Sequence, residues 1–107
     1  MGTRAGDIDP GLIEHVLRAE ELSFEEIMHS LNRQSGLKGI SGLSNDMRTL
    51  LEAEASGHER AKLAIDIFCF RVARHFAALS ASLPSLDAVV FTGGIGESAA
   101  DIRTRIL

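Results

Sequence analysis

"LDAVVFTGGIGES", residues 86–98, sets a short apolar run of β-type residues against three glycines in four positions, followed by an acidic residue and a serine. A plain turn needs one glycine, or two. Three of them, where a strand ends and a helix begins, imply that something approaches the main chain closely, since glycine leaves no Cβ in the way. Leu86–Thr92 is the only convincing strand in the chain, and Ala88, Val89, Val90 and Phe91 make it apolar on both faces. A run of that kind belongs inside a parallel sheet with neighbours on each edge. No other segment offers a clear partner strand. The chain therefore reads as a helix-rich piece of a larger α/β protein, with about five helices and one clear strand.

Working outward, Pro84 stops a long helix predicted from about Glu59 to Ser82. Its apolar positions Leu63, Ile67, Phe70, Ala73 and Ala77 form a stripe that Ile65, Phe68, Val72 and Phe76 widen, which predicts a helix covered on most sides. Gly57 breaks the preceding helix, which Asn45 or Asp46 caps and which runs through Met47, Leu50 and Leu51 to about Ala55. "QSGLKGISGLSND", residues 34–46, reads as a structured loop with a short extended piece. Ser23 and Glu26 form a capping box ahead of Ile27, Met28 and Leu31. Asp9 and Pro10 open a first helix through Leu12, Ile13, Val16 and Leu17. Beyond the glycines, Glu97 or Ser98 opens a last helix, with Ile102 and Ile106 on one side and Arg103 and Arg105 on the other.

At 107 residues the chain is one domain at most, and 45% hydrophobic with 24% charged residues is the balance of a soluble globular protein. Five Phe, no Trp, no Tyr and a formal charge of -4 argue against nucleic acid as a partner. A small anion stays open, because backbone N–H groups bind phosphate without net positive charge. The lone Cys69 sits among apolar residues and reads as a buried, inert thiol. "MGTRAGDIDP" has no apolar core of a signal peptide. The longest apolar run, Leu63–Phe70, contains Asp66 and meets Arg71 and Arg74, so no membrane span is expected. A cytoplasmic setting fits. His15, His29, His58 and His75 lie on separate segments without metal-ligand spacing, and no Ser–His–Asp or Cys–His arrangement emerges.

Three stretches carry chemistry. A strand, a glycine turn and a helix N-terminus make an anion site, yet G-G-I-G-E is neither G-x-G-x-x-G nor a phosphate loop with Lys-Ser/Thr. A tight connection with packing glycines explains the same pattern. In "GTRAGDIDP", residues 2–10, Arg4 suits bidentate capture of a carboxylate or phosphate, or pairs locally with Asp7. In "SGLSNDMR", residues 41–48, Ser44, Asn45 and Asp46 can all cap, which leaves Arg48 on a first turn where the helix dipole disfavours a cation. That placement hints at an anionic or stacking partner. Glu97 is either a catalytic carboxylate or a helix-stabilising one.

Together, "MGTRAGDIDPGL" (1–12), "GISGLSNDMR" (39–48) and "VVFTGGIGES" (89–98), in this order and at these separations, resemble acetate kinase over essentially the whole chain. The resemblance implies the C-terminal domain of an actin-like ATPase (ribonuclease H-like) fold. Residues 1–107 would form a partial nucleotide-binding domain, truncated at both ends relative to the family by a shortened or disrupted reading frame. It implies phosphoryl transfer from ATP to acetate, giving acetyl phosphate and ADP, with Mg²⁺ whose ligands lie outside this segment. It makes Arg4 catalytic and, with Gly2, substrate-binding. Asp46, Met47 and Arg48 would form part of the adenosine pocket, and Gly93, Gly94, Ile95, Gly96, Glu97 and Ser98 its other side. Met47 stands where members often carry Phe, and Ser98 where many carry Asn. The resemblance further implies a homodimer, a role in organic acid metabolism, and an isolated segment with too few catalytic groups for turnover. A propionate or butyrate kinase, a non-catalytic nucleotide- or protein-binding module, and a helical interaction domain are the alternatives.

Overall fold

The computed structural model describes residues 2–19 and 22–107. Among them are seven α-helices: α1 (Pro10–Ala19), α2 (Phe24–Arg33), α3 (Gly36–Ser41), α4 (Met47–Ala55), α5 (Glu59–Ser80), α6 (Gly93–Ser98) and α7 (Ala100–Ile106). The chain divides into two compact units, Met1–Ile65 and Asp66–Leu107. The long helix α5 contributes its first turns to one and the remainder to the other. No helix of the described residues is long and apolar enough to cross a membrane.

In the first unit, the expected caps are present. The Gly11 N–H donates to Asp9 Oδ1 at 2.7 Å, opening α1 behind Pro10. Ser23 and Glu26 form the reciprocal box: the Glu26 N–H donates to the Ser23 hydroxyl at 3.2 Å, and the Ser23 N–H donates to Glu26 Oε2 at 2.8 Å. The α1 helix packs on α2, which buries Ile27.

Residues 36–41 are helical, where the sequence reads as a loop. Glycines lower the intrinsic helix propensity of that stretch, so tertiary partners must compensate. They are present at both ends of α3. The Ser35 N–H donates to the Thr3 carbonyl at 2.9 Å and the Lys38 N–H to the Gly2 carbonyl at 3.0 Å. At the other end, Arg60 donates from Nε to the Ile40 carbonyl at 2.9 Å and from Nη2 to the Gly39 carbonyl at 3.2 Å. A Cβ on Gly39 would collide with the Gln34 carbonyl oxygen, so the helix tolerates no larger residue there.

Asp46 caps α4 by accepting from the Thr49 N–H at 3.1 Å. The helix stops in a Schellman motif around Gly57, whose φ is 86°. The Gly57 N–H reaches the Glu54 carbonyl at 2.9 Å and the His58 N–H the Ala53 carbonyl at 2.9 Å. His58 then opens α5, its Nδ1 accepting from the Ala61 N–H at 3.1 Å. The core of this unit contains Leu37, Met47, Leu50, Ala61, Ala64 and Ile65, all buried.

In the second unit, Cys69, Ile102 and Ile106 are buried. Two expectations are corrected. First, α5 is not covered on most sides: Leu63 is 50%, Phe70 62% and Leu79 73% exposed, so only part of its wide apolar surface is covered within this chain. It also ends at Ser80, before two i→i+3 turns in which the Ser82 and Leu83 N–H groups donate to the Leu79 and Ser80 carbonyls. Second, Leu86–Thr92 is not a strand, and no strand occurs among the described residues. A strand exists only through ladder bonds to a neighbour, and these residues supply none. Val90 is accordingly 84% exposed.

Candidate functional site

The candidate residues are distributed over both units. In the first, the Gly2–Ala5 loop is stitched down by its main chain. Besides the two carbonyls that cap α3, the Ala5 N–H donates to the Leu31 carbonyl at 2.8 Å and the Thr3 hydroxyl to the Asn32 carbonyl at 3.2 Å. This fixes the loop on the last turns of α2. A Cβ added to Gly2 would lie 3.4 Å from the Asn45 Cβ, so the loop passes directly beside the residues that lead into α4. Two stretches more than forty residues apart in sequence meet here.

Arg4 is exposed and lines a concavity of about 390 Å³ together with Asp7, Ile13, Met28 and Asn32 among others. The three residues of the "DMR" phrase differ in what they can do. The Asp46 carboxylate is engaged by the Thr49 N–H at 3.1 Å and by the Thr49 hydroxyl at 2.9 Å, and those bonds hold its pKa below the ordinary value. Met47 is buried in the core. Arg48 is exposed on the first turn of α4.

In the second unit the helix after the glycines opens at Gly93, not at Glu97 or Ser98 as the sequence suggests. It breaks at Ala99, with φ -107° and ψ 85°, and resumes as α7. The three glycines differ in what their positions require. Gly93 has φ 76°, a left-handed conformation that a side chain resists. A Cβ on Gly96 would stand 3.3 Å from the Phe91 Cβ, so this glycine packs. Gly94 has neither cause: its φ is not left-handed, and a Cβ there would meet nothing within 4 Å. The fold explains two of the glycines and leaves the third unexplained.

Both ends of α6 are tied. Glu97 Oε1 accepts from the Gly93 N–H at 3.1 Å, so this carboxylate holds the turn. Arg103 Nη1 donates to the Gly96 carbonyl at 2.9 Å and the Glu97 carbonyl at 3.0 Å. Sequence reading misses Arg103, because its role depends on the chain reversing at Ala99. Beside the turn lies an open, largely apolar cavity of about 350 Å³, lined by Phe68, Val72, Phe91, Gly94, Ile95 and Arg103 among others. Ser98 is exposed at the last position of α6. Among the described residues, no group of three His, Cys, Asp or Glu side chains is placed to hold a metal ion.

Comparison with known proteins gives the family. Acetate kinases from Stutzerimonas stutzeri and Ectopseudomonas mendocina are 52% and 53% identical over all 107 residues, which span 27% of each of those proteins. The crystal structure of Porphyromonas gingivalis acetate kinase superposes on 99% of this chain with a TM-score of 0.93 at 39% identity. A propionate kinase structure from Francisella tularensis does so with a TM-score of 0.94 at 50% identity, and the chain covers 27% of each of those structures. The helix-rich architecture is thus that of the corresponding quarter of these enzymes. With the profile of the Acetokinase family matching residues 1–107, the chain belongs to that family.

Proposed function

We propose that this segment forms the adenosine-facing turn and one acceptor-side arginine of a kinase that transfers the γ-phosphoryl group of ATP to acetate. The observation that carries the reading is Gly94. Its helical backbone accepts a side chain and a Cβ there would meet no atom within 4 Å beyond its own helix turn, so nothing described within this chain requires glycine. A residue kept bare on its open side suits a flat ligand resting on the main chain. Ile95 and Phe91 in the adjoining cavity would give that ligand an apolar wall.

Transfer of a phosphoryl group needs positioning and charge stabilisation more than covalent help from the protein. Arg4 suits charge stabilisation, as a permanently charged, forked donor on a loop whose main chain is fixed at Gly2, Thr3 and Ala5. Arg48 would meet the nucleotide, whereas Asp46 and Met47 act by holding α4. Glu97 orders the turn through the Gly93 N–H. Mg²⁺ would complete the charge balance from ligands outside residues 1–107. The same reading assigns a cytoplasmic, homodimeric enzyme of organic acid metabolism and leaves the isolated segment without turnover.

Propionate as acceptor is the second reading, favoured by the 50% identity to the Francisella tularensis propionate kinase. The test is a chimera in which residues 1–107 replace the matching segment of the Stutzerimonas stutzeri acetate kinase. ATP-dependent phosphorylation of acetate supports the proposal, and preference for propionate supports the second reading. A soluble chimera with no transfer to either acid overturns both.

A further inference from the structure

We propose that Arg103 is a positioning residue for the nucleotide, acting through the main chain of α6. The inference rests on the reading of Gly94 as the surface on which the nucleotide lies. A helix of six residues, three of them glycine, has little stability of its own. Its last carbonyls lack intrahelical partners. One nitrogen of Arg103 satisfies two of them, Gly96 at 2.9 Å and Glu97 at 3.0 Å, and brings a positive charge to the negative end of the turn. The donor is itself well anchored. Arg103 is half-buried on α7, between Ile102, which is fully buried, and Ile106, which is nearly so.

Glu97 closes one end of α6 on the Gly93 N–H, and Arg103 closes the other. Gly94 lies between the two ties. The guanidinium therefore sets where the bare main chain at Gly94 stands, through the two carbonyls that follow it. Loss of Arg103 should loosen the turn and weaken ATP, while the acceptor side, built around Arg4 in the other unit, keeps its affinity.

The experiment measures KM for ATP and for acetate separately in the chimera described above, as wild type, Arg103→Ala and Arg103→Lys. Arg103→Ala should raise KM for ATP about tenfold, the scale of two charge-assisted bonds partly replaced by water, with KM for acetate unchanged. Arg103→Lys keeps a cation with several N–H donors and should recover most of the loss. An unchanged KM for ATP, or equal losses in both KM values, overturns the proposal. If the wild-type chimera itself shows no ATP-dependent transfer, the nucleotide reading has failed and this inference falls with it. A normal wild type with an indifferent Arg103→Ala sinks the positioning role alone. Should the long graft not fold, a graft of residues 86–107 carries the whole turn and its arginine for the same comparison.

Discussion

Gly96 faces Phe91 across a gap that a side chain would fill: a Cβ on the glycine would stand 3.3 Å from the Phe91 Cβ and 3.4 Å from its carbonyl carbon. Gly94, two residues earlier, faces open space. Alanine at Gly96 gains up to about 1 kcal/mol of helix propensity but makes Phe91 give by a few tenths of an ångström. The two effects oppose each other, and Gly96→Ala should change stability by less than about 1 kcal/mol. Alanine at Gly94 has only the gain, so it should stabilise α6 slightly while weakening ATP. Gly93→Ala should destabilise, because φ 76° disfavours any side chain. Thermal midpoints of the three variants with and without ATP separate these effects. A Gly94→Ala protein that binds ATP normally would remove the functional reason for that glycine.

Arg60 does for α3 what Arg103 does for α6. In each case a guanidinium from a later helix binds two successive carbonyls at the end of a six-residue, glycine-containing helix. Arg60→Ala should therefore cost about 1 kcal/mol and raise amide exchange in the last turn of α3. Global destabilisation with unaltered relative protection of Gly39–Gly42 would contradict a local tie.

The two arginine ties also show where sequence reading stops. Caps at Asp9, Ser23–Glu26 and Asp46 were legible because their partners lie within three residues. The stop at Gly57 was legible because a left-handed residue after a helix calls for glycine. The helical state of residues 36–41 was not, since its stability comes from Gly2, Thr3 and Arg60, all distant in sequence. Leu86–Thr92 failed in the opposite direction: its composition suits a strand, but a strand also needs a neighbour. At the glycine turn the pattern announced a close approach without distinguishing the three residues. Only the geometry around each absent Cβ separates conformation, packing and open space.

Acid should act on the helix starts of the first unit. The Ser23 hydroxyl, and next the Ser23 N–H, hold the Glu26 carboxyl below its ordinary value of 4.5. The Thr49 N–H, and next its hydroxyl, hold Asp46 below 3.8. A carboxyl whose pKa falls on folding contributes stability that is complete above its unfolded value and is lost as the pH drops through its folded value. The thermal midpoint should thus fall as the pH goes from about 5 to about 3. Glu26→Gln and Asp46→Asn should each flatten part of that fall. Curves parallel to wild type in both variants would mean that other carboxylates govern the acid transition.

Arg4 and Gly94 should fail in different ways, and the difference tests the two halves of the proposed function. Arg4 is exposed on a loop whose backbone is bonded to α2 and α3, so truncating its side chain leaves the loop intact. If its guanidinium stabilises charge on the phosphoryl group in transit, Arg4→Ala in the active chimera should lower kcat by about a hundredfold or more, with KM for ATP nearly constant. Gly94→Ala should raise KM for ATP and alter kcat less, because the added methyl group displaces the ligand in ground and transition states alike. A rise in KM for ATP in Arg4→Ala as large as that in Gly94→Ala would assign Arg4 to nucleotide binding instead. Arg4→Lys sharpens the comparison: it keeps the charge but loses the planar fork, so a partial recovery of kcat would attribute the remainder to bidentate geometry.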